Sequence, residues 1–334
     1  MRWPFGAGRQ ASRGRPRDDQ AAAPGEPFII CENLVKIYKA DELEVLALQG
    51  LDLTVRRGEL MAIIGSSGSG KSTLLNILGG LDTPTAGKAR VAGWDLNRMS
   101  PADRVQYKRQ TVGFVWQAVG RNLVPYLTAL ENVMLPMLLA GRYDPSWARE
   151  LLEAVGLGHR IHHRPMQMSG GEQQRVAIAI GLANHPPVLL ADEPTGSLDT
   201  VTGQRVLEVF RDVRDRYGVT IVVVTHDRSM ARAVDRYVQI RDGKTSTESV
   251  RRADPPSQPG AGETGDATAA GDAPTHDEYT LLDSAGRLQL PQDVREALGI
   301  KDRVRLRLAD GRIVLEPPEP AQDGQAPSPG DAAS

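Results

Sequence analysis

The sequence has few of the features that mark secreted, membrane-spanning or strongly basic proteins. Its 334 residues include one cysteine, Cys31, so an intrachain disulfide is excluded and we interpret the thiol as a small buried hydrophobe. No apolar run approaches the ~18 residues that a membrane-spanning helix needs. The net charge of −2 gives no broad positive field for nucleic acid. A role at a membrane would therefore need another chain to supply the span.

Aromatic residues are also scarce, at 4%, so the core is predicted to consist of Leu, Val, Ile and Ala. Composition divides the chain into five segments. Residues 1–26 are predicted to be a disordered leader, 27–244 a globular domain and 245–277 an acidic flexible linker. Residues 278–317 alternate apolar and charged residues, which predicts a small, mainly β appendage, and 318–334 are predicted to be a disordered tail.

Short β-branched runs alternate with helical patterns through the globular domain. Residues 60–64, 188–191 and 221–224 are apolar runs of strand length, and helical patterns follow the first two at 72–78 and 202–217. Strands and helices in repeated alternation are typical of an α/β fold with a mainly parallel sheet.

A glycine-rich loop lies between the first of these strands and its helix. Residues 65–72 fit the pattern G-x-x-x-x-G-K-[ST] in the context that this motif requires. The glycines let backbone N–H groups surround phosphates, and the helix N-terminus adds partial positive charge. Lys71 adds a full charge, and the Ser72 hydroxyl can bind Mg²⁺. The predicted nucleotide-binding residues are Gly65, Ser66, Ser67, Gly68, Ser69, Gly70, Lys71, Ser72 and Thr73.

Two carboxylates follow the second apolar strand. Asp192 and Glu193 come directly after residues 188–191, and in a parallel sheet the carboxyl ends of the strands face the ligand crevice. Asp192 is therefore predicted to hold Mg²⁺, and Glu193 to orient and deprotonate the attacking water.

A second phosphate-binding turn precedes a helix at Ser169-Gly170-Gly171. Two such turns for one nucleotide are explained if two copies of the chain face each other. The segment resembles the signature of ABC transporter ATPases, with Met168 where the family usually has Leu. The resemblance implies a P-loop NTPase fold of the ABC ATPase type with a helical subdomain. It also implies a homodimer that holds two ATP–Mg²⁺ head to tail.

Other landmarks of that family follow in order over about residues 28–243. Tyr38 matches the aromatic residue that stacks on adenine, and Gln117 matches the glutamine that senses Mg²⁺ and the membrane partner. Asp199, in Ser-Leu-Asp, matches the loop that signals across the dimer, and His226 matches the histidine that contacts the γ-phosphate. The resemblance thus implies ATP hydrolysis with a catalytic set of Glu193, His226, Lys71 and Gln117, and a metal set of Ser72, Gln117 and Asp192.

Residues 78–87 and 128–133 are most similar to the subgroup that serves MacB- and LolD-type permeases. That similarity implies a permease on a separate chain, a position at the cytoplasmic face of the membrane, and export or extraction. Trp116 departs from the Phe usual in this subgroup. The alternative is a soluble ABC ATPase of DNA repair, translation or transcriptional control, with the C-terminal segment as its DNA-binding regulatory module. It is disfavoured because the chain has one ATPase domain and no large insertion between Gln117 and Ser169.

The C-terminal segment carries a pattern of its own. Pro291 suits the start of a short helix, residues 303–308 alternate Arg with apolar residues, and Asp310-Gly311 predicts a hairpin turn. The segment resembles the swapped-hairpin domain of AbrB- and MazE-like proteins, which dimerise and often bind DNA. Residues 279–316 carry seven basic and six acidic side chains, which favours dimerisation over DNA binding. The residues that would contact DNA in the second case are Arg287, Arg303, Arg305 and Arg307.

Overall fold

The structure is a computed structural model of the chain. It describes residues 25–40, 43–118, 120, 122–227, 233–251, 276–281, 290, 292–300, 304–309 and 312–316. The predicted leader up to residue 24, residues 252–275 of the predicted linker and residues 317–334 lie outside the described residues. The chain divides into two compact units, Met1–Leu288 and Gln289–Ser334.

The β-branched and apolar runs form strands. In the described residues these are β1 (Pro27–Ala40), β2 (Leu43–Arg56), β3 (Leu60–Ile64), β4 (Ala86–Val91), β5 (Trp94–Asp95), β6 (Val112–Val115), β7 (Val188–Asp192), β8 (Thr220–Thr225), β9 (Arg236–Arg241), β10 (Lys244–Arg251), β11 (His276–Thr280), β12 (Arg305–Ala309) and β13 (Arg312–Glu316).

The segments with a helical pattern form α-helices, most of which begin at a Ser, Thr or Asp cap. They are α1 (Lys71–Leu78), α2 (Pro101–Gln110), α3 (Ala129–Leu139), α4 (Pro145–Ala154), α5 (Gly170–Leu182), α6 (Thr200–Tyr217) and α7 (Gln292–Ala297). No helix in the described part of the chain is both long and apolar enough to span a membrane.

A seven-stranded sheet forms the centre of the first unit, in the order β11-β10-β9-β3-β8-β7-β6. The five strands from β9 to β6 are parallel, and β10 and β11 are antiparallel additions at one edge. All residues of β3 and β8 are buried, as expected for parallel strands covered on both faces. The predicted α/β fold with a mainly parallel sheet is confirmed.

Alternate residues of the central strands face two separate cores. Met61 and Ile63 of β3 pack with α1 and with a four-stranded antiparallel sheet of order β2-β1-β4-β5. Leu60, Ala62 and Ile64 pack on the other face, against the helices from α3 to α6. Because both faces are covered, the carboxyl ends of β3, β7 and β8 are left as the place where loops can form a ligand site.

The start of the predicted linker differs from the expectation. Residues 245–251 belong to β10, which pairs with β9 and with β11. Its sequence, Lys-Thr-Ser-Thr-Glu-Ser-Val-Arg, has no apolar alternation. Its buried residues are instead hydroxyl side chains: the Thr247 hydroxyl lies 3.2 Å from Gln239 Oε1, and the Ser246 hydroxyl donates to the Gln239 carbonyl at 3.2 Å. The strand is buried through hydrogen-bonded hydroxyl groups. It therefore lacks the alternating apolar residues from which a strand is predicted.

Tyr279 likewise lies in β11 of the central sheet, where a separate appendage was predicted to begin. The second unit contains α7 and the antiparallel pair β12–β13, in which Leu308 is opposite Ile313. These elements occupy the residues for which the sequence predicts a short helix and a hairpin. Asp310 and Gly311, the predicted turn, lie outside the described residues, as do Arg287 and Arg303.

Candidate nucleotide site

The glycine-rich loop turns tightly between β3 and α1. Gly68 and Gly70 have φ angles of 78° and 99°, which residues with a Cβ rarely adopt. A Cβ at Gly65 would lie 2.5 Å from the Ile240 carbonyl oxygen, so this position also requires glycine. The loop holds Lys71 in place: its Nζ donates to the Gly65 and Ser66 carbonyls, at 2.8 Å each. The predicted phosphate loop therefore has the closed shape that its sequence implies.

The N-terminus of α1 is not capped by a side chain. Among helices α1 to α6, which the structure describes completely, five begin with a side-chain hydrogen bond to the first turn, and α1 begins at Gly70 without one. The first turn of α1 also contains no acidic residue. Free N–H groups, the helix dipole and a buried ammonium together form a site for an anion.

The acidic pair lies beside this loop. Asp192 ends β7, and its Oδ1 is buried without a hydrogen-bond partner. The Ser72 side chain lowers the pKa of the same carboxylate, by less than burial raises it. Burial raises the pKa of Asp192, with a further increase from Glu193, and burial lowers the pKa of Lys71. Both shifts mark charged groups that are incompletely solvated and that a bound phosphate and cation would stabilise.

Glu193 adopts a left-handed backbone conformation, with φ 45°. This strained conformation turns the side chain toward the end of β8. Its carboxylate accepts from the Thr225 hydroxyl at 3.2 Å and lies 2.9 Å from His226 Nδ1. The Glu193 side chain is 12% exposed and that of His226 is 65% exposed. Thus the predicted base and the histidine predicted to contact the γ-phosphate are in contact with each other. The sequence did not indicate this contact, because 33 residues separate the two.

Gln117 follows β6 and is exposed. Its Nε2 would lie 3.7 Å from a Cβ at Gly196, so it is close to the loop after Glu193. Trp116, the unusual residue beside it, stacks on Phe114 with ring centroids 3.9 Å apart. Asn122 fixes the segment by accepting from the Trp116 N–H and donating to the Trp116 carbonyl, both at 2.9 Å. Val119 and Arg121 lie outside the described residues.

Helix α5 begins at the predicted signature. Ser169 and Glu172 form a reciprocal capping box: the Ser169 hydroxyl accepts from the Glu172 N–H at 3.2 Å, and the Ser169 N–H donates to Glu172 Oε2 at 2.8 Å. The Ser169 N–H bond lowers the pKa of Glu172, and Arg160 Nε lies 3.3 Å from its other oxygen. The signature turn is therefore held rigidly, with Ser169 and Gly170 exposed.

Helix α6 packs against this turn. A Cβ at Gly171 would lie 2.2 Å from Thr202 Cγ2, so glycine is required there. Asp199 caps α6: its carboxylate accepts from the Thr202 N–H at 3.0 Å and from the Thr202 hydroxyl at 2.7 Å. The predicted signalling loop and the predicted signature are thus joined within one chain through Thr202, a residue that sequence reasoning did not select.

Tyr38 is on β1, and its hydroxyl donates to Asp82 Oδ2 at 2.8 Å. Asp82 also accepts from Lys36 Nζ at 2.6 Å. Sequence reasoning missed both partners: 44 residues separate Tyr38 from Asp82, and residues 78–87 were used only to identify the subgroup. The Tyr38 side chain is 39% exposed, which leaves ring surface available to a ligand.

Comparison with known proteins agrees with this geometry. Residues 48–196 match the family described as ABC transporter. An ABC transporter ATP-binding protein of Thermotoga maritima is 53% identical over 212 residues, covering 63% of this chain and 89% of that protein. The lipoprotein-releasing system ATP-binding protein LolD of Xanthomonas campestris pv. campestris is 46% identical over 235 residues, which cover 69% of this chain and 95% of LolD.

The macrolide export ATP-binding/permease protein MacB of Rhodopirellula baltica is 47% identical over 225 residues, which cover 66% of this chain and 33% of MacB. Among solved structures, the dimeric bacterial ABC transporter cassette MJ0796 is similar with a TM-score of 0.61 and 40% identity, over 68% of this chain and 100% of that one. The same cassette in a post-hydrolysis state bound to ADP and Pi is similar to the same extent. This chain belongs to the ATP-binding proteins of ABC transporters and is an ATP hydrolase of that family.

Proposed function

We propose that the chain drives a transporter whose translocation path is supplied by a separate integral membrane chain, with the ATPase bound peripherally at the cytoplasmic face. The direction proposed is export, or extraction of a substrate from the membrane. Similarity to LolD, named for lipoprotein release, and to the ATP-binding part of MacB, named for macrolide export, supports this subgroup. The observation that carries the ATP-driven part of the proposal is the grouping of Lys71, Asp192 and Glu193 at the carboxyl edge of one parallel sheet.

ATP is proposed to lie with its phosphates in the loop of Gly65 to Thr73 and its adenine on the Tyr38 ring. The uncapped N-terminus of α1 and the buried Lys71 supply the positive potential for the phosphates. The exposed ring of Tyr38 supplies a flat apolar surface for the base.

Mg²⁺ would be held by Ser72, Asp192 and Gln117, together with phosphate oxygens. The donor set fits: a hydroxyl, a carboxylate with one buried unpartnered oxygen, and an amide are hard oxygen ligands. When bound, Mg²⁺ would neutralise charge that develops on the phosphate oxygens.

Glu193 is proposed as the general base for the attacking water. Its carboxylate is enclosed and fixed by Thr225 and His226, which satisfies the requirement for a base of defined orientation. His226 is exposed. Its ring is therefore proposed to contact the γ-phosphate from the edge of the site. Lys71 and Gln117 complete the catalytic set by neutralising the phosphates and positioning the water and metal.

Two copies are proposed to form a head-to-tail sandwich. The turn Ser169-Gly170-Gly171 and the loop ending at Asp199 would contact the ATP bound by the other copy. Exposure of Ser169 and Gly170 and the dimeric state of the MJ0796 cassette support this arrangement. Closure of the sandwich would contribute the differential binding free energy that drives the permease, and loss of γ-phosphate contacts would let it open.

The ATPase domain is further proposed to extend through β10 and β11, and the second unit, Gln289–Ser334, is proposed to contain an AbrB-like module that pairs two subunits. The antiparallel β12–β13 pair supports a hairpin within the module. Arg307 is exposed, but nucleic acid is not the favoured partner because basic and acidic side chains nearly balance in residues 279–316.

Co-purification tests the transporter proposal. Tagged Glu193→Gln would be expressed in the native host, membranes solubilised gently, and the bound proteins identified in ATP. One integral membrane protein in stoichiometric amount is the expected result. Recovery of only soluble partners, together with DNA or ribosomes, would contradict it and favour the soluble alternative.

A further inference from the structure

We propose that Asp82 is a positioning residue for the nucleotide base: together with Lys36 it fixes the plane of the Tyr38 ring, which sets the strength of base binding but not of phosphate binding. This inference rests on the proposed stacking of adenine on Tyr38. Lys36 and Tyr38 lie on β1, Asp82 lies between α1 and β4, and side-chain contacts join the three residues.

Asp82 contacts Tyr38 and Lys36 simultaneously. One carboxylate oxygen accepts from the Tyr38 hydroxyl at 2.8 Å, and the other accepts from Lys36 Nζ at 2.6 Å. Lys36 Nζ also donates to the Thr83 carbonyl at 2.9 Å and lies over the Tyr38 ring, 4.8 Å from its centroid. The ammonium therefore covers one face of the ring. The proposed stacking of adenine therefore uses the opposite face.

Asp82 itself is held to α1, the helix of the phosphate loop. Its backbone N–H donates to the Asn76 carbonyl at 3.2 Å, and the neighbouring Leu81 N–H donates to the same oxygen at 2.9 Å. At the other end of α1, the Thr73 side chain lowers the pKa of the Tyr38 phenol, although burial raises it by more. Through Asp82 the ring is thus connected to the C-terminal end of α1, the helix whose first residue is Lys71. This arrangement fixes the distance between the base surface and the phosphate loop.

Charge supports the same conclusion. Although burial by itself raises the pKa of Asp82, hydrogen bonds from Lys36, Tyr38 and the Thr83 N–H lower it by more, so that the carboxylate stays ionised. Burial raises the pKa of Tyr38, so the phenol stays neutral and remains a donor. A neutral donor and an ionised acceptor form a strong, oriented hydrogen bond. A free tyrosine on an exposed strand would lack this restraint on its ring.

The test compares a ligand with a base to one without. Binding of ATP and of inorganic tripolyphosphate to the full chain would be measured calorimetrically for Asp82→Ala. ATP affinity is expected to fall roughly threefold to tenfold, the range for loss of an oriented aromatic contact. Tripolyphosphate affinity is expected not to fall, and kcat at saturating ATP to remain unchanged. Equal weakening of both ligands, or no weakening of ATP binding, would overturn the proposal.

Glu44→Ala is the matched control. Glu44 pairs with Lys39 at 2.7 Å on the rung next to Tyr38–Val45, on the opposite face of the hairpin. It removes the same charge without touching the ring, and it is expected to leave ATP affinity unchanged. If Glu44→Ala weakened ATP binding as much as Asp82→Ala, general charge would explain the effect and Asp82 would have no positioning role.

Tyr38→Phe tests the same hydrogen bond independently, in case Asp82→Ala fails to fold. It removes the same hydrogen bond from the other end and leaves the Lys36–Asp82 ion pair intact. It is expected to weaken ATP binding in the same direction, and Asp82→Ala added to it should have little further effect. Full additivity of the two changes would overturn the proposal. Tyr38→Ala tests adenine stacking separately from the role of Asp82. Unchanged ATP affinity in Tyr38→Ala would refute adenine stacking itself.

Discussion

Two helices of this chain begin on glycine-rich turns, and their first turns differ. Helix α1 begins at Gly70, in a left-handed conformation, with no side-chain cap and a buried Lys71 beside it. Helix α5 begins after Ser169 with a complete capping box and an acidic residue, Glu172, in its first turn. The first helix start is incomplete without an anion, whereas the second is already stable. This difference supports the proposal that α1 holds the phosphates of ATP bound by its own chain, whereas the start of α5 contacts ATP bound by the other copy.

The largest expected effect concerns the catalytic group beside α1. Glu193→Gln removes the proposed base but keeps its size and its contact with His226. We expect kcat to fall by about 10²- to 10⁴-fold, the usual contribution of a general base, with ATP affinity retained. Phosphate release and titration with a fluorescent ATP analogue would measure the two quantities. Hydrolysis near the wild-type rate would show that another group is the base.

The two signature glycines provide the next test. Gly171→Ala places a Cβ 2.2 Å from Thr202 Cγ2, whereas at Gly170 the nearest atom, Leu198 Cδ2, is 3.4 Å away. We expect Gly171→Ala to lower the free energy of unfolding by about 1–3 kcal/mol through overpacking. Gly170→Ala should change it by less than about 0.5 kcal/mol, as for a surface substitution. Urea denaturation of both variants would decide; equal stability would contradict the tight α5–α6 packing.

Capping and function can be separated with two serines. Ser169 and Ser100 each form a capping box, at α5 and at α2. Replacing either with Ala should lower the free energy of unfolding by about 1 kcal/mol. Hydrolysis should fall in Ser169→Ala alone, since only that hydroxyl is proposed to contact ATP. A Ser169→Ala chain with normal turnover would mean that the hydroxyl acts as a cap and nothing more.

The smallest expected effect is a pH dependence at the capped helix. The Ser169 N–H bond holds the pKa of Glu172 below its ordinary value of 4.5. Since the folded pKa is depressed, the stabilisation is complete above pH 4.5 and is lost as pH falls through the lower folded value. Glu172→Gln should therefore reduce the loss of stability on acidification below pH 4.5, measured by denaturation at several pH values. An unchanged acid profile would refute this linkage.

Residues with strong local signals were predictable from the sequence. Apolar runs gave β3, β7 and β8, and the phosphate-loop motif correctly implied a closed loop before α1 because glycine and lysine spacing determines it. Strand β10 was missed because buried Ser and Thr side chains carry no hydrophobic alternation. The link from Tyr38 to Asp82 was missed because such contacts depend on tertiary packing, which a single sequence does not display.

The central claim, that one ATP is held by the two different helix starts of two chains, can be tested by crosslinking. The native thiol will not interfere, because burial raises the pKa of Cys31 to about 12 and keeps it unreactive. Ser67→Cys and Ser169→Cys would be made in separate Glu193→Gln chains, each shown by size exclusion to dimerise in ATP, then mixed with a short bismaleimide. The account predicts a crosslinked heterodimer in ATP and none in ADP. ATP-bound dimers that form no Ser67–Ser169 crosslink would contradict it.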